Sequence, residues 1–323
     1  MKVGQLYNVD SFKDMGGLVG ETLRKIKFGD AYNGTVLERN LTAVDPTVFE
    51  KKYPDLTFFN TGISADNTGG AAKRIQSLRL LDNGEFRTAG DETTNKGKIS
   101  ISGEDNDILV HQKEAFAEWT KSDVETAALQ NFSLTGKLMS AIDKQYKREI
   151  DAAGLTGIQG NKGLLNNTVF GTSAASGAIG TLTPQEMYDE ICALIIDQHN
   201  AVSNTQEYMS DMVIMPVNVL NVLQKTMLNT AGSHMTVLSA LKANFPGVTF
   251  MASFRAATGG VASASATCAI KASDETMKFR LPTPLEIGEI FPLGSFHWKV
   301  DARYRCAGLD ILEATAGRLL TGL

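Results

Sequence analysis

Residues 132–167 read FSLTGKLMSAIDKQYKREIDAAGLTGIQGNKGLLNN. Leu134, Leu138, Ile142, Tyr146 and Ile150 recur every four residues, with Met139 beside them, while Lys137, Lys144, Lys147 and Arg148 take other positions. That spacing predicts a long amphipathic helix with one apolar stripe. Ser122 and Glu125 upstream have the spacing of a capping box, so one helix is expected from Ser122 to Ala153. Leu138 and Ile142 are expected in the core, where an aspartate would cost several kcal/mol as an unpaired buried charge. The helix should stop in a run with glycine at 154, 157, 160 and 163. This run lacks GxxxxGK[ST] and follows a helix. A phosphate cradle needs a strand, then the loop, then a helix whose amides face the anion. A structural turn is expected.

Upstream, Lys73–Arg87 and Lys98–Lys113 look extended, and Lys98–Ser102 alternates with period two. Between them Thr88–Gly97 carries no apolar residue larger than alanine. The pair reads as a long hairpin, which buries little and needs something to lie on. Arg74, Arg79 and Arg87 along its first run fit a solvated strand face or contacts to an acidic partner surface. The first sixty residues look like an arm: a helical pattern over Ser11–Lys27, a turn at Gly29–Gly34, and a helix start at Asp45-Pro46 that must stop before Pro54.

Downstream, GTSAASGAIGT after Phe170 reads as a linker. Thr183-Pro184-Gln-Glu186 is a capping box with proline in the first turn, and Met187, Ile191, Leu194 and Ile195 form the buried face of its helix. A buried strand at Met212–Met215, a helix through Val219–Met227, a helix at Thr236–Asn244 and a strand at Val248–Phe254 make an α/β layer. From Thr267 strands dominate: Cys268–Ala272, Met277–Leu281, Leu285–Ile290 and Phe296–Tyr304, with Pro282 and Pro284 between two of them.

The 323 residues are 43% hydrophobic and 21% charged, with net charge -5. These values fit a folded soluble protein and argue against a chain built mainly to neutralise phosphates. Cys192, Cys268 and Cys306 are odd in number and far apart, which excludes a disulfide framework and a CxxC zinc pattern and suits a reducing compartment. The longest apolar run, Ile191–Ile196, is six residues, against about 20 for a membrane span. The N-terminus has no signal-peptide core, so a cytosolic start is expected. His111, His199, His234 and His297 are isolated from one another and from cysteine, and no GxSxG elbow exists. No catalytic, cofactor-binding or metal-ligating residue is assigned, and no enzyme activity is expected.

Three stretches resemble the major capsid proteins of tailed bacteriophages, the Hong Kong 97-type fold shared with encapsulins. They are LTAVDPTVFEKKYPDL (41–56), the run from Phe116 to Asn167, and HWKVDARYRCAGLDILEATAGRLLTGL (297–323). The resemblance implies an α+β fold with an N-terminal arm (1–60), an extended β-hairpin loop (61–119), a peripheral domain with a long spine helix (120–179), an α/β axial domain (180–268), and return strands of the peripheral domain ending in a C-terminal return to the axial domain (269–323). It implies a homo-oligomer of hexamers and pentamers in an icosahedral shell around packaged double-stranded DNA, without sequence-specific binding. The subunit would assemble in the host cytoplasm and reside in the virion. Portal, decoration and scaffolding proteins are implied partners, the scaffold as a separate protein because the arm is short; no cofactor and no membrane are implied. The acidic balance suits a shell that must let DNA slide, since each neutralised phosphate adds affinity. An encapsulin-like compartment for enzyme cargo is the alternative; an α/β enzyme and a tail or baseplate protein are further rivals. Lys96 and Lys98 near the hairpin tip read as solvated charges.

Overall fold

In the computed structural model, residues 56–84, 99–129, 133–201, 208–228 and 235–323 are described, all within the unit Lys52–Leu323. The arm up to Asp55, the hairpin tip, Arg87, Lys96, Lys98 and His234 lie outside the described residues.

The centre is a five-stranded sheet. Its strands are β5 (Gly171–Ala174), β6 (Met212–Pro216), β7 (Thr249–Ser253), β8 (Ala266–Ile270) and β14 (Gly317–Thr321), in the order β5-β14-β8-β6-β7. β5 and β14 are parallel, as are β6 and β7, and the other pairings are antiparallel. Both faces are covered, which is why β6 and β8 read as continuous apolar runs. Val213, Met215, Ala269 and Leu320 face the helices α3 (Pro184–Ala201), α4 (Val217–Lys225) and α5 (Val237–Asn244). Ile214, Cys268, Ile270 and Leu319 join the core on the other side, with Leu155, Leu164 and Phe170. The helix starts follow the sequence. Thr183 and Glu186 form the expected reciprocal box, with bonds of 2.7 and 3.3 Å. Met187, Ile191, Leu194 and Ile195 are all buried. The segment expected as a linker after Phe170 is in part an edge strand: β5 pairs through its backbone with β14, a partner 147 residues away (Gly171 with Arg318) that local composition cannot reveal.

The helical stretch around residue 134 is two helices, α1 (Lys121–Leu129) and α2 (Leu134–Leu155). Ser133 caps the second with extended backbone, its hydroxyl accepting from Gly136 N at 3.3 Å. The capping box of α1 lies two residues earlier than expected. Thr120 and Asp123 exchange bonds of 2.9 and 3.3 Å, while Glu125 pairs with Lys121. Thr-x-x-Asp and Ser-x-x-Glu overlap here, and the strand ending at Thr120 selects the first. Leu138 and Ile142 are half-buried, not core. They line an open cleft of about 390 Å³ between α2 and the small side chains Ala115, Ala117 and Ala302. Only the C-terminal end of α2, from Ile150, is buried.

That end meets the glycine run, which is a structural turn as expected. Leu164 N and Leu165 N donate to Gly154 O and Leu155 O at 2.9 Å each, folding the chain back on the helix. Asn166 accepts from Gly163 N and donates to Thr156 O, both at 2.8 Å. Gly157 has φ +89°, and a Cβ there would lie 2.1 Å from Asn161 O. Phe58, inside the segment expected as arm, belongs to this core: its N–H donates to Asp151 at 2.9 Å and its ring packs on Gly154.

A four-stranded sheet centres on β12 (His297–Cys306), paired along one edge with β4 (His111–Thr120) and along the other with β10 (Thr283–Ile287) and β11 (Phe291–Gly294). Pro284 lies inside β10 rather than between strands. β1 (Ala65–Asp66), β9 (Met277–Arg280) and β13 (Gly308–Ile311) make a three-stranded sheet. β2 (Arg74–Gly84) and β3 (Ile99–Leu109) form the expected antiparallel hairpin.

A Cβ at Gly154 would lie 2.3 Å from the Phe58 ring. Gly154→Ala is expected to destabilise by several kcal/mol, as overpacking against a fixed ring does. Phe58→Ala should cost about 3–5 kcal/mol by cavity formation. The double variant should cost little more than Phe58→Ala alone, because the clash is gone. Urea unfolding of the three variants checks this; additive losses would show that the two residues do not meet.

Candidate functional site: an exposed apolar surface

The hairpin is the most unusual surface. Eleven residues per strand span about 37 Å, and among the described strands neither edge pairs with another sheet. Strand alternation divides it into two faces. Ile108 and Ser77 lie on the face that meets the body at the root and are each 8% exposed. Leu109, Leu78, Ile101 and Ile99 lie on the other and are 45–66% exposed. Arg74 pairs with Asp107 at 2.6 Å in solvent, so the first of the three hairpin arginines is a cross-strand surface ion pair; the Arg79 side chain and Arg87 lie outside the described residues.

A second apolar patch lies around β10, β11 and the outer face of β4: Ile287, Ile290, Phe291, Leu293, Phe296 and Phe116 are all exposed. Lys299 Nζ sits 4.6 Å from the Phe116 ring centre and 5.8 Å from that of Phe291, and Lys121 covers Phe296 at 5.5 Å. Both lysines bring their charge within cation–π reach of rings that stay exposed. Single exposed apolar side chains are ordinary; two clustered sets on one chain mark contact surfaces.

Chemistry is disfavoured where the sequence left it open. The described histidines sit on separate elements: His111 opens β4, His199 lies near the end of α3 within 3.1 Å of Ser210 Oγ, and His297 opens β12 beside Glu118 at 3.6 Å. Burial holds His199 below the usual imidazole range. Cys306 stands opposite His111 in the sheet, but burial pushes its thiol up to about 12, so the thiolate that nucleophilic chemistry needs is not formed. Cys268 is buried and shifted upward as well. Among the described residues no group of three or more His, Cys, Asp or Glu is placed to hold a metal ion, and no helix is long and apolar enough to cross a membrane. Sequence reasoning missed the patch around β11, because Phe291–Gly294 reads as a loop and its exposure depends on packing.

A mixed fold with a projecting two-stranded arm and two uncovered apolar faces defines a subunit made to be completed by other subunits. Residues 87–323 match the family described as Major capsid protein, and the chain belongs to that family. It is 36% identical to a chain from "The capsid of Myoviridae Phage XM1", covering 92% of this chain and 100% of that one with a TM-score of 0.79. The fold is shared with the capsid of the native GTA particle, at 15% identity, coverage of 90% and 99%, and TM-score 0.67. It is shared too with a chain of Microbacterium phage Oxtober96, at 11% identity, coverage of 91% and 99%, and TM-score 0.62. Among curated proteins none matches. The resemblance to tailed-phage capsid proteins is therefore borne out: the chain is a head-shell protein, located in the virion capsid, and it assembles with copies of itself. The encapsulin alternative gains no support.

One polar cluster ties the sheet under this surface to α2. Lys113 of β4 pairs with Glu149, and Tyr304 of β12 donates to the same carboxylate at 3.2 Å. The Lys113 bond, aided by Tyr304 and opposed by partial burial, holds Glu149 below its ordinary value of 4.5. A depressed folded-state value means the stabilisation is present above about pH 4.5 and is lost as pH falls through the folded value. Glu149→Gln should therefore lower the melting temperature at pH 7 and flatten its decline below pH 4.5. A decline as steep as in the unsubstituted protein would refute the assignment.

Proposed function

We propose that the chain builds the icosahedral head shell that encloses double-stranded DNA, as pentamers and hexamers of one subunit, and that its role is structural and not catalytic. The observation that carries the reading is the hairpin: about 37 Å of ladder with Leu78, Ile99, Ile101 and Leu109 exposed on one face and no other strand paired to it among the described residues. In this reading the extended loop expected over 61–119 lies across a neighbouring subunit through its hairpin, β2 and β3, while β1 and β4 of that span pair within their own subunit. Residues 120–179 contribute the spine helix of a peripheral domain, completed by the return strands of 269–323. Residues 180–268, with the C-terminal return, form the axial domain around the five-fold and six-fold axes, and 1–60 is the arm. Assembly in the host cytoplasm, a separate scaffold, a portal and decoration proteins belong to the same reading. Net charge -5 supports confinement of DNA over tight phosphate binding.

The experiment separates folding from assembly. The purified protein should form rings or shells by negative-stain microscopy. Replacing residues 90–97, GDETTNKG, by a tight Asn-Gly turn removes no core-sized apolar side chain. The shortened protein should stay soluble, keep near-native helix content by circular dichroism, and fail to make stable shells. Normal particles from it, by microscopy and sedimentation, would remove the intersubunit role of the tip.

A further inference from the structure

Because the hairpin pairs with no other described strand, its angle to the body must be set at its root. Asp310 of β13 is 0% exposed. Its Oδ2 accepts from Arg280 Nε at 2.9 Å and Nη2 at 2.8 Å, and from Ser77 Oγ at 2.5 Å; its Oδ1 accepts from Asn106 Nδ2 at 2.9 Å. Arg280 Nη2 also donates to Ser77 Oγ at 2.8 Å, and Nη1 pairs with Asp66. Ser77 and Asn106 are directly opposite each other across the hairpin ladder. One buried carboxylate thus holds both strands at the same rung, through bonds strengthened by charge. A second tether, Asn161 Nδ2 to Leu109 O at 2.8 Å, holds the end of β3.

We propose that Ser77, Asn106, Asp310 and Arg280 are positioning residues for assembly: they fix the direction in which the hairpin leaves the subunit, and so the size and regularity of the shell. The proposal rests on the hairpin being the intersubunit element. Leverage makes the root decisive. With the ladder from Leu78 to Gly84 beyond it, about 24 Å, a rotation of about 10° at the root moves the far end by about 4 Å, the length of a side-chain contact. The body does not need the hairpin's two groups for its own charge balance, since Arg280 already faces Asp310 and Asp66. Those two contacts serve the hairpin's orientation.

The test uses the full-length protein with Ser77→Ala/Asn106→Ala, and Lys147→Ala as a control that removes an exposed ion pair on α2, away from the hairpin. The double variant should melt within a few degrees of the unsubstituted protein. In hydrogen exchange on unassembled subunits, backbone amides of β2 and β3 near the root should exchange about thirtyfold faster or more, as expected for two lost bonds to a charged group, with the five-stranded sheet unchanged. Its particles should be absent or of mixed diameter by cryo-electron microscopy, while Lys147→Ala gives uniform ones. Should the double variant misfold, Asn106→Ala at its exposed position is read the same way, with a smaller change. Uniform shells of normal diameter, or unchanged exchange at the root, would overturn the proposal. Absence of shells from the unsubstituted protein would instead strike the shell reading, and the exchange measurement would still decide the latch.

Discussion

Gly154 has no side chain, and the ring of Phe58 occupies the place where one would be. The rest of the subunit depends on this contact. It brings the chain leaving the N-terminal segment against the last turn of α2, where Asp151 receives the Phe58 N–H at 2.9 Å and the Arg255 guanidinium at 2.7 Å. A carboxylate with 6% of its side chain exposed is tolerable only because it is fully partnered. From there the glycine turn returns Leu164 and Leu165 into the core beside Phe170 and the five-stranded sheet. The same Phe58 ring meets Phe279 at 4.9 Å between centres, joining the three-stranded sheet to the cluster.

What this core leaves outside is as telling as what it encloses. The hairpin face with Leu78, Ile99 and Ile101, the aromatic patch around Phe291 and Phe296, and the cleft beside Leu138 and Ile142 all remain open. A chain of this size has ample capacity to bury such residues. Keeping them outside fits a member of a capsid family that assembles with copies of itself. The half-buried N-terminal part of α2 follows the same pattern: its apolar stripe is regular, yet Leu138 and Ile142 face an open cleft lined in part by Ala115, Ala117 and Ala302.

Polar groups do the joining between elements. Glu149 links α2 to β4 and β12, and Asp310 links the hairpin to β9 and β13. Gln198, fully buried, donates to Tyr208 O and Thr315 O at 2.6 and 3.1 Å and accepts from Ser210 N at 2.9 Å, tying α3 to the C-terminal segment. Each such group has several partners, and each crosses between segments far apart in sequence.

Local signals in the sequence determined the elements. The four-residue spacing from Leu134 to Ile150, the box at Thr183–Glu186, the alternation at Lys98–Ser102 and the glycines of the turn are short-range patterns, so helix, hairpin and turn were legible from them, and so was the family, from the order in which they occur. Only the tertiary structure decided which of two overlapping boxes, Thr120/Asp123 or Ser122/Glu125, starts α1, that Gly171–Ala174 becomes an edge strand, and that Leu138 faces a cleft. The hub at Arg280 and Asp310, which gathers Asp66, Ser77 and Asn106, was not legible either. The physical reason is common to all of these. Each depends on a partner brought close by long-range packing, a strand end, a distant β14 or an alanine across a cleft, and a residue's own neighbours in sequence carry no trace of it.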